Sequence, residues 1–145
     1  MNRPGRDSRC CQSEAAPYTW VEYVDETHPS VVGLAAWLDS LAPFARAHEE
    51  GEIDELLEAA AQGELEESGD ERTPIKPIRV NPELFELRRK ALVMNLRFYH
   101  GEPQALPTSL VALHRHIKGR GGPTQQQEIN QAALRYAAGR PTNWS

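Results

Sequence analysis

Apolar and polar residues alternate in three stretches of the second half of the chain. The stretches span residues 83–90, 92–99 and 110–118. Successive side chains of a β-strand point to opposite faces of a sheet, so this period of two predicts three strands. In the middle strand Leu96 and Phe98 share one face, and Arg97 and Tyr99 share the other.

Elsewhere, apolar residues recur every three or four positions, which is typical of amphipathic helices. They are Val31, Leu34, Ala35, Leu38 and Leu41, then Phe44, Ala47, Ile53, Leu56, Leu57 and Ala60, and near the carboxy terminus Ile129, Ala132, Ala133 and Tyr136. Thr27 or His28 begins the first helix, Pro43 separates the first two, and Thr124 can cap the third. Residues 18–24 are aromatic and β-branched, which favours a further strand.

The predicted elements follow the order strand, helix, helix, strand, strand, strand, helix. This order indicates an α+β fold, with a three-stranded, mainly antiparallel sheet closed by the carboxy-terminal helix. Residues 1–16 are rich in Arg, Ser, Gly and Pro and show no period, so we expect a disordered tail. A single domain is expected over residues 17–145.

Charge is divided unevenly between an acidic helical part, about residues 27–75, and a basic sheet part, about residues 76–145. The first 75 residues hold 5 Lys/Arg against 17 Asp/Glu, and the remainder hold 11 against 4, within a net charge of −5. Such segregation indicates that the basic face meets an anionic partner. The alternative is a pair of solvated acidic helices beside an ordinary sheet.

The cysteines and the hydropathy pattern bear on the compartment. Cys10 and Cys11 are the only cysteines, and adjacent cysteines make a poor structural disulfide, which favours a reducing compartment. No apolar run approaches the roughly 20 residues that span a bilayer, and the first residues do not resemble a secretory signal. We expect a cytoplasmic protein without membrane contact.

Basic, aromatic and imidazole side chains share the face opposite the apolar one, because burial of the apolar face sets the register. Cleavage of RNA without a metal needs such groups: the 2′-hydroxyl loses a proton, the leaving 5′-oxygen gains one, and the phosphate needs positive charge. The candidate catalytic residues are Arg97, Tyr99, His114, His116 and Lys118, and the candidate RNA-binding residues are Arg88, Arg89, Lys90 and Arg120. The alternative is that Tyr99 and the histidines are semi-buried residues that complete a sheet.

His114 and His116 point the same way on one predicted strand, a geometry that can chelate a metal. A third ligand would be His100, Glu86 or Glu102, and the spacing selects none of them. Because a metal site normally needs at least three protein ligands, we expect no metal and no other cofactor.

Four short motifs carry a family resemblance. They occupy residues 82–88, 96–99, 110–118 and 127–132 and follow one another with short gaps. In this order they resemble the RelE/ParE toxin superfamily, and most closely its HigB-type, phage-derived branch, in which an "ELR" strand, an Arg-containing aromatic strand, an "LH" strand and an "EIxxA" helix succeed one another. The likeness covers about residues 18–138.

The resemblance implies a ribosome-dependent mRNA endonuclease, the toxin of a type II toxin–antitoxin system, which a cognate antitoxin of helix-turn-helix type holds inactive. Arg88 matches the Arg of "ELR", Arg97 the strand Arg, His114 the His of "LH", and Lys118 the first Lys after that strand. Gly119 stands where the family has a second Lys. The alternatives are a ParE-like topoisomerase inhibitor and a catalytically silent binding module of the same fold.

Overall fold

The computed structural model describes residues 7–66, 74–91, 94–118 and 125–145, and its elements confirm the α+β class. The strands and α-helices are β1 (Thr19–Glu22), α1 (Pro29–Ser40), α2 (Pro43–Ala61), β2 (Ile75–Pro77), β3 (Leu84–Ala91), β4 (Met94–Gly101), β5 (Ser109–Lys118) and α3 (Gln125–Gly139). Two short 3-10 turns, Arg9–Cys11 and Arg140–Thr142, lie near the ends of the chain.

Within the described ranges the strands form one mixed sheet of five, in the order β1-β5-β4-β3-β2. β1 runs parallel to β5, and the other neighbours are antiparallel. The predicted three-stranded sheet is therefore too small, because an additional strand pairs at each edge. β2 escaped prediction because it is only three residues long and ends in Pro77, and an edge strand tolerates a proline that lacks an amide hydrogen.

The two faces of the sheet are covered by different helices. On the α1/α2 face, helical residues such as Leu34 and Ala60 pack on Phe85, Leu87, Leu96, Phe98 and Leu110. On the α3 face, Ala132 and Tyr136 pack with Leu84, Tyr99, Val111, Leu113 and Trp144. This confirms the predicted alternation in β4, since Phe98 and its neighbour Tyr99 belong to different clusters. In β5 a register shift opposite Tyr99 and His100 puts Val111 and Leu113 on the α3 face, whereas Ile117 packs on the α1/α2 face.

The first helix begins where the sequence predicts it to begin. His28 caps α1, its Nδ1 accepting a 3.3 Å hydrogen bond from the Ser30 amide, and Pro29 is the first helical residue. Thr124, the predicted cap of α3, lies outside the described residues. No helix in the described part of the chain is both long and apolar enough to cross a membrane.

The amino-terminal segment departs from the prediction of a disordered tail over residues 1–16. Ser8 and Cys10 are fully buried, and residues 9–11 form a 3-10 turn. The Arg9 guanidinium donates hydrogen bonds to the carbonyls of Pro103, Leu106 and Ser109. The prediction is wrong for this stretch because polar contacts with a distant loop, rather than a periodic apolar face, hold it in place.

Candidate functional site

Three rows of side chains cross the α3 face of the sheet, one residue from each of β3, β4 and β5 in every row. The first row is Glu86, Tyr99 and His114, the second is Arg88, Arg97 and His116, and the third is Lys90, Asn95 and Lys118. The rows arise because every second residue of a strand shares a face and the antiparallel register aligns the strands. Arg88, Lys90 and all five predicted catalytic residues thus share one face.

Exposure increases from the first row to the third. Tyr99 is 1% exposed, while in the second row His116 is 3% and Arg97 8% exposed. In the third row Lys118 is half-buried and Lys90 is exposed. The start of α3 covers the first row.

Tyr99 and His116 form a hydrogen-bonded, stacked pair. The Tyr99 hydroxyl lies 2.9 Å from His116 Nε2, and the two rings are nearly parallel with centroids 5.5 Å apart. Burial lowers the pKa of His116 to about 4 and raises the pKa of Tyr99 well above its ordinary value. At neutral pH the imidazole is therefore uncharged and the phenol protonated, and the two groups share one hydrogen bond.

His114 is fixed by a carboxylate from the closing helix. Glu128 of α3 accepts hydrogen bonds from His114 Nε2 and from the Ser30 hydroxyl at the start of α1. Burial opposes ionisation of Glu128, but these two hydrogen bonds lower its pKa overall. The pKa of His114 is also lowered, chiefly by burial. Glu128 thus joins both helices to the first row.

One set of side chains at this site could hold a metal. His28, His114 and Glu128 each offer a ligand atom, and these atoms lie within 4.8 Å of one another. This set does not include His100, Glu86 or Glu102, the residues that the sequence offered as a third ligand beside His114 and His116. His100 packs in the α1/α2 cluster beside Phe85, and Glu86 is bonded to Arg88 at 3.1 Å.

Arg97 is a buried cation with spare hydrogen-bonding capacity. Its Nη1 donates to the Leu96 carbonyl at 3.0 Å, and its Nε has no hydrogen-bond partner among the residues that the structure describes. Burial lowers the pKa of Arg97, although Glu86 opposes this effect. A guanidinium remains protonated under these conditions, so Arg97 supplies a fixed positive charge at the second row.

One of the predicted RNA-binding residues, Arg89, is not brought to this face. Arg89 lies between Lys90 and Arg88 and points to the α1/α2 face, where it pairs with Glu49 at 2.8 Å and Glu52 at 3.6 Å. Arg120 lies outside the described residues. Arg89 is thus neutralised by the acidic helix α2.

Sequence reasoning missed the residues that the helices contribute to the site. Glu128 precedes Ala132 by four positions, so it lies along the inward-facing stripe of the closing helix, and this spacing was the available signal. Gln125 donates to Glu86 at 3.1 Å. His28 was recognised as a cap, but no pattern indicated that its ring would meet His114, with centroids 4.7 Å apart.

A groove of about 290 Å³ lies on the opposite face, between α1, α2 and the sheet. Its lining includes Leu34, Leu38, Ile53 and Phe98. None of the candidate catalytic residues borders it, so the groove is separate from the three rows.

Comparison with known protein families, curated proteins and solved structures finds no match to this chain. The described residues themselves therefore define the structural class. The chain is an α+β protein with a five-stranded mixed sheet, helices on both faces of the sheet, and a buried cluster of arginine, tyrosine and histidine under α3.

Proposed function

We propose that this protein is the toxin of a type II toxin–antitoxin pair, a ribosome-dependent endoribonuclease that cleaves mRNA without a metal. The observation that carries the proposal is the second row, in which Arg97 lies beside His116 while His116 is hydrogen-bonded to Tyr99. A fixed positive charge next to a proton-transfer pair suits attack by a 2′-hydroxyl on the adjacent phosphate. The resemblance of the sequence to the RelE/HigB branch supports the same activity.

Positive charge for the scissile phosphate comes from two neighbouring rows. Arg97 and Lys118 stabilise the crowded phosphate of the transition state, because hydrogen bonds from cations to phosphate oxygens are stronger than neutral ones. Arg88 and Lys90 lie on β3 in the same two rows and extend this charge toward flanking phosphates.

Proton transfer is assigned to the stacked rings. The 2′-hydroxyl proton passes to the Tyr99 oxygen as Tyr99 gives its own proton to His116, and the leaving 5′-oxygen regains a proton from the pair. A phosphate bound at Arg97 places negative charge near His116, which raises the pKa of His116 toward the range where a base is most effective. His114, held by Glu128, supports the stack.

RNA approaches from the third row. Lys90 and Asn95 are exposed there, whereas His114 and the ring of Tyr99 lie beneath α3. The Tyr99 hydroxyl reaches the second row at His116. The scissile phosphate is therefore expected over the second and third rows.

Cleavage of ribosome-bound mRNA would place the protein in the cytoplasm, and a helix-turn-helix antitoxin is the expected partner.

The test is a short induction of the untagged chain in bacterial cells, followed by growth measurement and sequencing of RNA 5′-ends. We expect growth arrest with new mRNA ends for the wild type, and relief by Arg97→Ala. Arg115→Ala is the matched control, because Arg115 is a strand arginine on the α1/α2 face that pairs with Glu26 at 2.7 Å. A harmless wild type, or equal relief by both variants, would refute the proposal.

A second candidate, a catalytically silent binding module, is favoured by one observation: Tyr99 and His116 are almost completely buried. It predicts neither growth arrest nor new RNA ends on induction. The same induction, with a DNA-damage reporter and the variant His114→Ala added, tests a ParE-like topoisomerase inhibitor, which would give DNA damage with intact mRNA and tolerate His114→Ala.

A further inference from the structure

A set of metal-ligating side chains lies at the α1/α2 face, separate from the three rows. Cys10 in the amino-terminal turn, His100 in β4 and Glu102 just after β4 each offer one atom, and these atoms lie within 4.8 Å of one another. The Cys10 Sγ lies 3.5 Å from His100 Nε2 and 3.9 Å from Glu102 Oε2, and the nitrogen and oxygen are 2.9 Å apart.

These distances resemble the edges of a tetrahedron around zinc. With typical bond lengths of about 2.3 Å to sulfur and about 2.1 Å to nitrogen and oxygen, tetrahedral angles give edges of about 3.6 Å from sulfur and about 3.4 Å between nitrogen and oxygen. The edge from Cys10 to His100 agrees within about 0.1 Å, and shifts of about half an ångström adjust the other two.

The environment of this set is closed to solvent. Cys10 is 0% exposed, His100 1% and Glu102 3%. The rings of Trp20 and Phe85 flank the His100 ring, with centroid distances of 5.5 and 6.0 Å. The Glu102 carboxylate already pairs with His100 Nε2 at 2.9 Å, and a thiolate and a carboxylate together would balance the two charges of a divalent cation.

The Glu102 carboxylate is also held in position. The Ser8 hydroxyl donates to its Oε2 at 2.5 Å, and the Arg9 amide donates to its Oε1 at 2.9 Å. Outer hydrogen bonds of this kind orient a carboxylate ligand in protein metal sites.

We infer that Cys10, His100 and Glu102 bind one Zn²⁺ ion, with a water molecule as the fourth ligand, and that this ion fastens the amino-terminal turn to the end of β4. On binding, the Cys10 thiol loses its proton to solvent and the sulfur bonds to the metal. The inference differs from the expectation of no metal, and it is independent of RNA cleavage because the two sites occupy opposite faces.

The experiment uses the full chain without a histidine tag, since a tag would itself bind metal. The protein is loaded with Zn²⁺ or Co²⁺ and desalted, and its metal content and absorption spectrum are measured. We expect about one metal per chain and, with Co²⁺, a thiolate-to-metal charge-transfer band. Chelation should lower the melting temperature and admit trypsin at Arg9, because metal binding contributes to the folded state.

Variants assign the ligands. Cys10→Ser should abolish the charge-transfer band and most metal retention, while Cys11→Ser and His48→Ala should keep both, since His48 is an exposed residue of α2. If Cys10→Ser does not fold, a band retained by Cys11→Ser still assigns the sulfur to Cys10, because the chain has only 2 cysteines. The set of His28, His114 and Glu128 contains no sulfur and gives no such band. A wild type without stoichiometric metal, or a band that depends on Cys11 alone, overturns the inference.

Discussion

Acid should destabilise this protein through one buried imidazole, and a single substitution should remove that effect. The perturbation is His116→Gln, combined with a change from pH 7 to pH 5. Gln can still form a hydrogen bond with the Tyr99 hydroxyl, which now bonds to His116 Nε2, but Gln does not titrate. His48→Gln is the control, since His48 lies exposed on α2.

The sign follows from the proton affinities of the two states. In the unfolded chain His116 has an ordinary pKa of about 6.5, whereas burial lowers its pKa in the folded protein to about 4. The unfolded state therefore binds the extra proton as the pH falls from 6.5 to 4. This contribution to stability is complete above the unfolded pKa and is lost over that window.

The magnitude comes from the two pKa values of His116. Linkage between pKa values of about 6.5 and about 4 gives a loss of about 2 kcal/mol in the free energy of unfolding between pH 7 and pH 5. His114, whose pKa is also lowered by burial, contributes to the acid loss in all three proteins. The difference between variants therefore reports His116 together with its repulsion from His114.

Urea unfolding at pH 7 and pH 5 measures the effect, and each protein is compared with itself. We expect the wild type and His48→Gln to lose about 2 kcal/mol more than His116→Gln over this interval. General destabilisation by the substitution cancels in the comparison. An equal acid loss in all three proteins would show that His116 is not a buried neutral imidazole, and the proton-transfer assignment would lose its basis.

Further predictions concern stability. Arg89→Ala should cost about 3 kcal/mol in urea unfolding, because it leaves the nearly buried Glu49 carboxylate without its closest partner, and a loss below about 1 kcal/mol would contradict this. Gly139→Ala should cost about 2 kcal/mol, because its Cβ would lie 2.2 Å from Trp144 Cδ1. Gly33→Ala, with nothing within 4 Å, should instead gain up to about 1 kcal/mol, so the two glycine variants should shift the melting temperature in opposite directions.

The sheet could be predicted where apolar and polar residues alternate between the two faces of a strand. In β4 the apolar positions Leu96 and Phe98 alternate with Arg97 and Tyr99, and the structure separates the two sets by face. The helices were predictable for the same reason, with a different period. Such patterns report which side of an element meets a core, and that is local information.

The amino-terminal turn and β2 could not be predicted from local sequence patterns. Arg9 is held by carbonyls about a hundred residues away, and no spacing within the turn records those partners. β2 pairs through only three residues, of which Ile75 alone is buried, too short a stretch for a period to emerge. Both depend on contacts that the completed fold supplies.

The sequence predicted which residues form the site and which face of the sheet they share, but it did not predict how deeply they are buried. Arg97, His114 and His116 share a face as alternation requires. Their burial depends on where α3 crosses the sheet, which the register of the strands does not determine. The carboxylate of Glu128 reaches His114 from that helix, so the electrostatics of the cluster also depend on a tertiary contact.

The parallel pairing of β1 with β5 has a consequence for the order of folding. Thr19 lies opposite Ser109, so about 90 residues separate the two partners along the chain. Closing a loop of that length costs entropy before any contact is gained, and such distant pairings slow folding. During synthesis β1 emerges first but stays unpaired until β5 follows. Because β5 also carries His114 and His116, a nascent chain gains the cluster only after β5 has been synthesised.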